Sequence, residues 1–168
     1  LTLGFDFPLI QCEFAHSMGN SMGGLKEYMD LVRKYPQYQG GFIWDFVDQS
    51  IIRFEPDGRA TFSYGGSYNK FDPSDGNFNN NGFIAADRSL HPSAYEVGYQ
   101  YRSILSSLVE GTTNKVEIYN ENFFVDLSNY NLHWELVADN RVVVAGNIPS
   151  LNVKPQQRAI VTLPIEKY

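Results

Sequence analysis

The sequence predicts an α/β segment followed by an all-β segment, and three patterns carry this prediction. Apolar runs at residues 7–14 and 40–47 flank one amphipathic stretch, which is the strand–helix–strand order of a parallel βαβ unit. After about Ser103 the apolar residues recur with period two, which is typical of half-buried strands. Because 43% of the 168 residues are hydrophobic and 15% are aromatic, we expect a packed core rather than disorder.

The α/β segment is predicted from the first strand onward. FPLIQCEF at 7–14 is a mostly apolar run with an acidic residue near its end. Apolar residues from Leu25 to Val32 repeat at i, i+3, i+4 and i+7, which places them on one helical face, and Pro36 stops the helix. GGFIWDFV at 40–47 is rich in aromatic residues and is predicted to be the second strand.

A long irregular region comes next. Residues 53–90 contain no long periodic segment, but they hold turn signals and several aromatic residues. A loop of this length in a compact chain is usually functional or disordered, and the aromatic residues favour an ordered, functional loop. Pro92, which precedes SAYEVGYQYRS, predicts a second helix with proline in its first turn.

The all-β segment is predicted from repeats of period two. They start at Val116, Leu132, Val142 and Ala159 and indicate four or five short strands, with 139–140 as a hairpin turn. A small immunoglobulin-like sandwich has seven strands, so we expect the last strands of such a domain to be missing from this chain.

Composition and charge narrow the possible partners. With 13 Lys and Arg against 19 Asp and Glu, the formal charge is −6, which argues against a nucleic-acid surface. Charged residues reach only 19%, so neutral hydrogen-bonding ligands such as sugars fit this surface. No run approaches the length of a membrane span, and we expect no membrane partner. Cys12 is the only cysteine, which leaves cytoplasm and periplasm both open.

Glu13 is the first candidate for chemistry. It lies at the end of the first predicted strand, where α/β sheets present catalytic groups, and Trp44 follows at the corresponding end of the next strand. A carboxylate beside an aromatic platform suits a glycosidase, which also needs a second carboxyl group as acid. From spacing alone a salt bridge or loop anchor is the favoured explanation of Glu13. His16 then reads as a structural histidine and Trp44 as a core residue.

Three sequence segments favour the catalytic interpretation of Glu13 over the structural one. They are PLIQCEFAHSMGNSMGGLKEY, YPQYQGGFIWDFVDQSI and NGFIAADRSLHPSAYE. They resemble, in the same order and at similar separation, segments of the glycoside hydrolase family 2 β-galactosidases of the large bacterial type. The resemblance covers residues 8–103 and extends more loosely into the β segment. It implies the C-terminal part of a (β/α)8 TIM barrel at 1–103 and an incomplete immunoglobulin-like β-sandwich at 104–168.

The resemblance also implies roles for five residues. Glu13 is the expected nucleophile for retaining hydrolysis of terminal β-D-galactosides, while the acid/base carboxylate lies upstream, outside this chain. His16 is expected near the galactose 6-hydroxyl, and Trp44 is expected to pack on the apolar face of the sugar. Phe78, through its carbonyl, and Asn81, through its side-chain oxygen, are expected to bind sodium. The alternative, non-functional explanation of Phe78 and Asn81 is that they belong to a polar turn. Magnesium is also expected, with ligands elsewhere.

The resemblance finally implies a larger parent protein, which we expect to be a homo-oligomer. We expect this chain to be inactive alone, because two barrel strands cannot close a barrel of eight. Two alternatives stay open. A sibling β-glucuronidase or β-mannosidase is disfavoured by the AHSMGNS string and by the lack of a basic carboxylate-binding cluster. A non-catalytic carbohydrate-binding or structural module leaves the string around Glu13 unexplained.

Overall fold

The computed structural model of this protein describes residues 7–165, which form two compact units. The first unit ends at Tyr101 and the second begins at Arg102. Each unit has its own cluster of buried apolar side chains. The described chain therefore folds around two hydrophobic cores.

The first unit contains the predicted strand–helix–strand element. In chain order its described elements are β1 (Leu9–Phe14), α1 (Leu25–Lys34), β2 (Tyr38–Ile43), β3 (Ile51–Phe54), β4 (Ala60–Ser63), a 3₁₀ turn (Gly65–Ser67) and α2 (Pro92–Gln100). β1 and β2 pair in parallel with α1 between them along the chain, so the βαβ prediction is confirmed. Both predicted helices are also confirmed, and α2 has its proline in the first turn.

The core of the first unit lies where β1 meets the two helices. Phe14, Met22, Leu25 and Val97 are buried together. Tyr28 of α1 packs edge-on against Phe14, with their ring centroids 5.0 Å apart. Because these side chains come from β1, α1, α2 and the loop before α1, their burial fixes the end of β1 against the helical layer.

Two parts of the first unit differ from the sequence prediction. β2 ends at Ile43 rather than near residue 47, because the Asp45 amide donates to the Asn81 carbonyl oxygen instead of continuing the ladder with β1. The predicted irregular region contains an antiparallel hairpin of β3 and β4, which turns at 55–59. Each of these strands has 4 residues, too few for a pattern of period two to stand out.

The second unit is built from strands. Its elements are β5 (Ile104–Leu108), β6 (Lys115–Asn120), β7 (Leu132–Ala138), β8 (Arg141–Ile148) and β9 (Arg158–Thr162). β5, β6 and β9 form an antiparallel sheet in the order β5-β6-β9, and β7 pairs with β8. Asp139 and Asn140 have φ values of 49° and 59°, as a two-residue hairpin turn requires, so the predicted turn is confirmed.

The order of an α/β segment followed by an all-β segment is therefore confirmed. Within residues 7–165 there is no closed barrel, since β1 and β2 form a sheet of two strands. The TIM barrel and the immunoglobulin-like sandwich stay predictions. Neither α1 nor α2 is long and apolar enough to span a bilayer.

Asn120 is the central polar group of the second unit. It is fully buried, and its side-chain nitrogen donates to the carbonyl oxygens of Val125 (2.8 Å) and Val153 (3.1 Å). Its side-chain oxygen accepts hydrogen bonds from the backbone and side-chain nitrogens of Asn122. Because each polar atom of this amide is partnered, Asn120 joins the end of β6 to two loop segments without an unsatisfied group.

This network yields a stability prediction. Asn120→Asp places carboxylate oxygens against two carbonyl oxygens in a buried site, so we expect the free energy of unfolding to fall by about 3 to 5 kcal/mol. Asn152→Asp is the matched control, since Asn152 is exposed and uses its oxygen to accept from Ser150. Chemical denaturation should show a change within about 0.5 kcal/mol for the control. Equal stability of the two variants would contradict the role assigned to Asn120.

Candidate active site

Glu13 lies in a bulge at the end of β1. Gln11 pairs with Gly41 and Phe14 pairs with Ile43, so β1 advances three residues while β2 advances two. A Cβ atom built on Gly41 would lie 3.0 Å from the Gln11 Cβ and 3.1 Å from a Phe14 ring carbon, which places both side chains on one face. The extra residue keeps Glu13 exposed between two strand positions that face the helices.

Trp44 follows the last residue of β2. Its amide donates to the Phe14 carbonyl oxygen at 3.2 Å, and its own carbonyl oxygen accepts from the Ser17 amide at 2.7 Å. Ile43 packs on the buried cluster that contains Phe14. Because Phe14 pairs with Ile43, Trp44 lies at the end of the two-stranded sheet where Glu13 and Phe14 close β1.

The chain turns sharply after β1. Ala15 has a φ of 48°, in the left-handed region that residues with a Cβ atom rarely occupy. The turn leads to His16, whose exposed ring lies 5.4 Å from the Phe78 ring between centroids, with a tilt of 32°. The structure therefore brings together two predicted site residues that are far apart in sequence.

Asn81 holds the second predicted pair together. Its side chain is buried, and its nitrogen donates to the Phe78 carbonyl oxygen at 2.8 Å. Its Oδ1 atom is buried and has no hydrogen-bond partner among the described residues. A buried acceptor without a hydrogen-bond partner lowers the stability of the folded protein. This oxygen is therefore a candidate ligand atom for a bound cation.

These oxygens fit a hard cation such as sodium. The Phe78 carbonyl accepts one hydrogen bond from Asn81 and keeps a second lone pair, and the Asn81 Oδ1 is free. Hard cations prefer neutral or anionic oxygens of this kind. Within residues 7–165 no three His, Cys, Asp or Glu side chains cluster as metal ligands, which leaves no competing soft-metal site there.

The segment 79–84 is fastened to the end of β2 by backbone hydrogen bonds. Asp45 donates through its amide to the Asn81 carbonyl oxygen at 2.5 Å and accepts from the Phe83 amide at 3.1 Å. Val47 and Ile84 form an isolated parallel bridge. Asn81 therefore sits next in space to the residue that follows Trp44.

Asp48 adds side-chain bonds to this attachment. One carboxylate oxygen accepts from the Gly82 amide at 2.8 Å, and the other lies 2.8 Å from the His91 Nε2 atom. A Cβ atom at Gly82 would overlap the backbone of Val47 and Asp48, so only glycine fits there. Asp48 therefore fixes this loop to the segment that follows β2.

Asp45 fixes the same region. Its carboxylate accepts from the Phe46 amide at 2.6 Å and from the Gln49 side chain at 2.5 Å. Asp48 is likewise engaged at both oxygens. Both aspartates therefore hold local backbone and side-chain groups in place.

A cavity of about 330 Å³ opens beside this attachment. Hydroxyl, amide, carboxylate and imidazole groups contribute to its walls, which include Ser17, Asn77, Asn80, Asp48, His91 and Ser93. Glu13, His16 and Trp44 are not among its lining residues. The cavity is thus formed by the loops that support the site rather than by the candidate catalytic groups.

Some features of the site were not predicted from the sequence. The bulge at Glu13 depends on the register of two strands, and no local residue pattern marks it. The bond between His91 and Asp48 joins residues 43 positions apart and was not predicted either. Nearby, hydrogen bonds from the Ser89 hydroxyl and amide lower the pKa of Asp87, and Arg88 donates to the Ala86 carbonyl oxygen.

Comparisons with known proteins show the family to which the chain belongs. Residues 3–106 match the family model described as the TIM barrel domain of glycosyl hydrolases family 2. Residues 116–168 match the model described as domain 4 of beta-galactosidase. Together the two models cover both described units.

A curated relative points the same way. The chain is 41% identical over 161 residues to a beta-galactosidase of Clostridium acetobutylicum. The match covers 96% of this chain but only 17% of that protein, so the chain spans about a sixth of the length of this relative. On the family model and this identity, the chain belongs to glycoside hydrolase family 2.

Proposed function

We propose that the protein containing this chain hydrolyses terminal β-D-galactosides with retention of configuration, and that Glu13 is its nucleophile. One observation carries the proposal: the β1 bulge leaves Glu13 exposed at the end of β1, and the exposed Trp44 directly follows β2, the parallel neighbour of β1. Parallel α/β sheets hold their catalytic groups at this end. The beta-galactosidase relative supports the choice of substrate.

The proposed reaction has two steps. The Glu13 carboxylate attacks the anomeric carbon, the bond to the leaving oxygen breaks, and a carboxylic acid from the rest of the protein protonates that oxygen. Water then attacks the same carbon, its proton passes to the now ionised second carboxylate, and the ester to Glu13 breaks. The first step uses Glu13 as the attacking carboxylate, and the second step releases it from the ester as the leaving group.

The other four residues bind rather than react in this proposal. Trp44 offers an aromatic surface to the C–H face of galactose. His16 contacts the region of the 6-hydroxyl, with its ring placed against Phe78. Asn81 and the Phe78 carbonyl hold sodium, which supplies a positive charge beside the sugar hydroxyls. Magnesium is expected at ligands outside this chain.

The rest of a larger protein is part of the proposal. Large apolar side chains are left exposed in both units, including Phe54 at 72%, Phe71 at 94% and Phe124 at 95%. Exposed apolar residues in this number are typical of surfaces that another part of a protein covers. We propose that further barrel strands, a further sandwich portion and the partner subunits of a homo-oligomer cover them.

The nucleophile assignment predicts the effect of Glu13→Gln in the full-length protein. The amide cannot form the ester, so kcat for aryl β-galactosides should fall about a thousandfold or more while the melting temperature stays near that of the wild type. Glu110→Gln removes the same charge at an exposed turn and is the matched control. A Glu13→Gln protein that keeps its activity would contradict the assignment.

Covalent labelling tests the substrate and the residue together. An activated 2-fluoro-galactoside should accumulate as an ester, because the fluorine slows both steps whereas the activated leaving group speeds only the first. Mass spectrometry of the digested protein should place one label on Glu13. The 2-fluoro analogues of glucuronic acid and mannose are the controls for the sibling activities. Labelling at another residue, or preferential labelling by a control sugar, would overturn the proposal.

A further inference from the structure

We propose that Asp48 is a positioning residue that holds Asn81 and the Phe78 carbonyl in place for the bound cation by bridging Gly82 and His91. The inference rests on the proposed function, in which these two oxygens bind sodium. Asp48 touches neither oxygen itself. It acts through the segment that carries them.

The first support for this role is the bonding of Asp48. Its two carboxylate oxygens bind two different elements, the Gly82 amide at 2.8 Å and the His91 imidazole at 2.8 Å. Its own amide donates to the Ile84 carbonyl oxygen at 2.9 Å. One residue thus fastens the end of β2 to segment 79–84 and to the start of α2. Its side chain is only 13% exposed, so these bonds are shielded from water.

The second support is the place of Gly82 in the chain. It directly follows Asn81, so the hydrogen bond from its amide to Asp48 fixes the peptide unit that joins the two residues. The same glycine has no room for a Cβ atom against the backbone of residues 47 and 48. The peptide unit between Asn81 and Gly82 is therefore restrained on one side by close packing and on the other by a charge-assisted hydrogen bond.

The third support is the lack of other side-chain anchors on the Asn81 amide. Its nitrogen donates to the Phe78 carbonyl oxygen, and its oxygen has no partner in the described residues. Its orientation therefore depends on the backbone at 81 and 82. Because neutral oxygens bind a cation through geometry rather than through charge, a small displacement of this backbone weakens the site.

The test compares three variants of the full-length protein. Asp48→Ala removes both bonds, whereas Asp48→Asn keeps an oxygen acceptor for the Gly82 amide and serves as the conservative variant should the alanine protein fail to fold. Asp87→Asn is the matched control: it makes the same change of charge near His91, at an exposed residue whose carboxylate accepts from Ser89 and does not bond Gly82.

Two measurements are made on each variant. Hydrogen exchange followed by mass spectrometry reports the protection of the peptide that covers residues 79–84. Sodium titration, with choline replacing sodium, gives the half-saturating concentration from the ²³Na NMR line width and from hydrolysis. For Asp48→Ala we expect exchange about tenfold faster and a half-saturating sodium concentration about tenfold higher or more. Asp48→Asn should fall between Asp48→Ala and wild type, and Asp87→Asn should match wild type.

The outcome separates this inference from the proposed function. Wild-type exchange at 79–84, or wild-type sodium binding, in both Asp48 variants would overturn the positioning role even if Glu13 is labelled by the fluoro-sugar. If Glu13 is not labelled, the proposed function fails, while faster exchange and weaker ²³Na binding in the Asp48 variants still support the positioning role. Sodium affinity lowered equally by Asp87→Asn would also overturn it, because the effect would then follow charge alone.

Discussion

The parallel pairing of β1 with β2 is the constraint on which the rest of the candidate site depends. Burial of Phe14 against α1 fixes which face of β1 meets the helices, and the ladder to β2 carries that choice across to Ile43. The bulge then exposes Glu13 without moving Phe14 out of the core. A solvent-exposed carboxylate is thus held in place by the buried aromatic ring of the next residue in the chain.

A second set of contacts depends on how β2 ends. Once the ladder stops at Ile43, the backbone of residues 45–48 is free to bind segment 79–84. This brings two candidate cation-binding oxygens to the same end of the sheet as Glu13 and Trp44. Gly82 shows how close the approach is, since its missing side chain is what allows the two backbones to meet. The site is therefore assembled mainly by main-chain bonds, which depend little on side-chain identity.

The sequence predicted those parts of the molecule that local patterns determine. Apolar periodicity and Pro36 located α1, Pro92 located α2, and period-two repeats located most strands of the second unit. The β3–β4 hairpin was missed because four-residue strands carry too little periodicity. The Glu13 bulge and the Gly82 contact are set by pairing between distant segments. Their physical cause lies in register and close packing, which no single stretch of sequence contains.

The chemistry of the donor atoms explains why such close packing matters at this site. The Phe78 carbonyl and the Asn81 amide are neutral, so they attract a monovalent cation through dipoles whose effect falls steeply with distance and angle. A carboxylate ligand would tolerate a looser fit, because the attraction between two full charges varies more slowly with position. The carboxylates of Asp45 and Asp48 instead form hydrogen bonds with backbone amides and side chains around the two oxygens. Negative charge is thereby used to hold the backbone in place, and neutral oxygens are left for the cation.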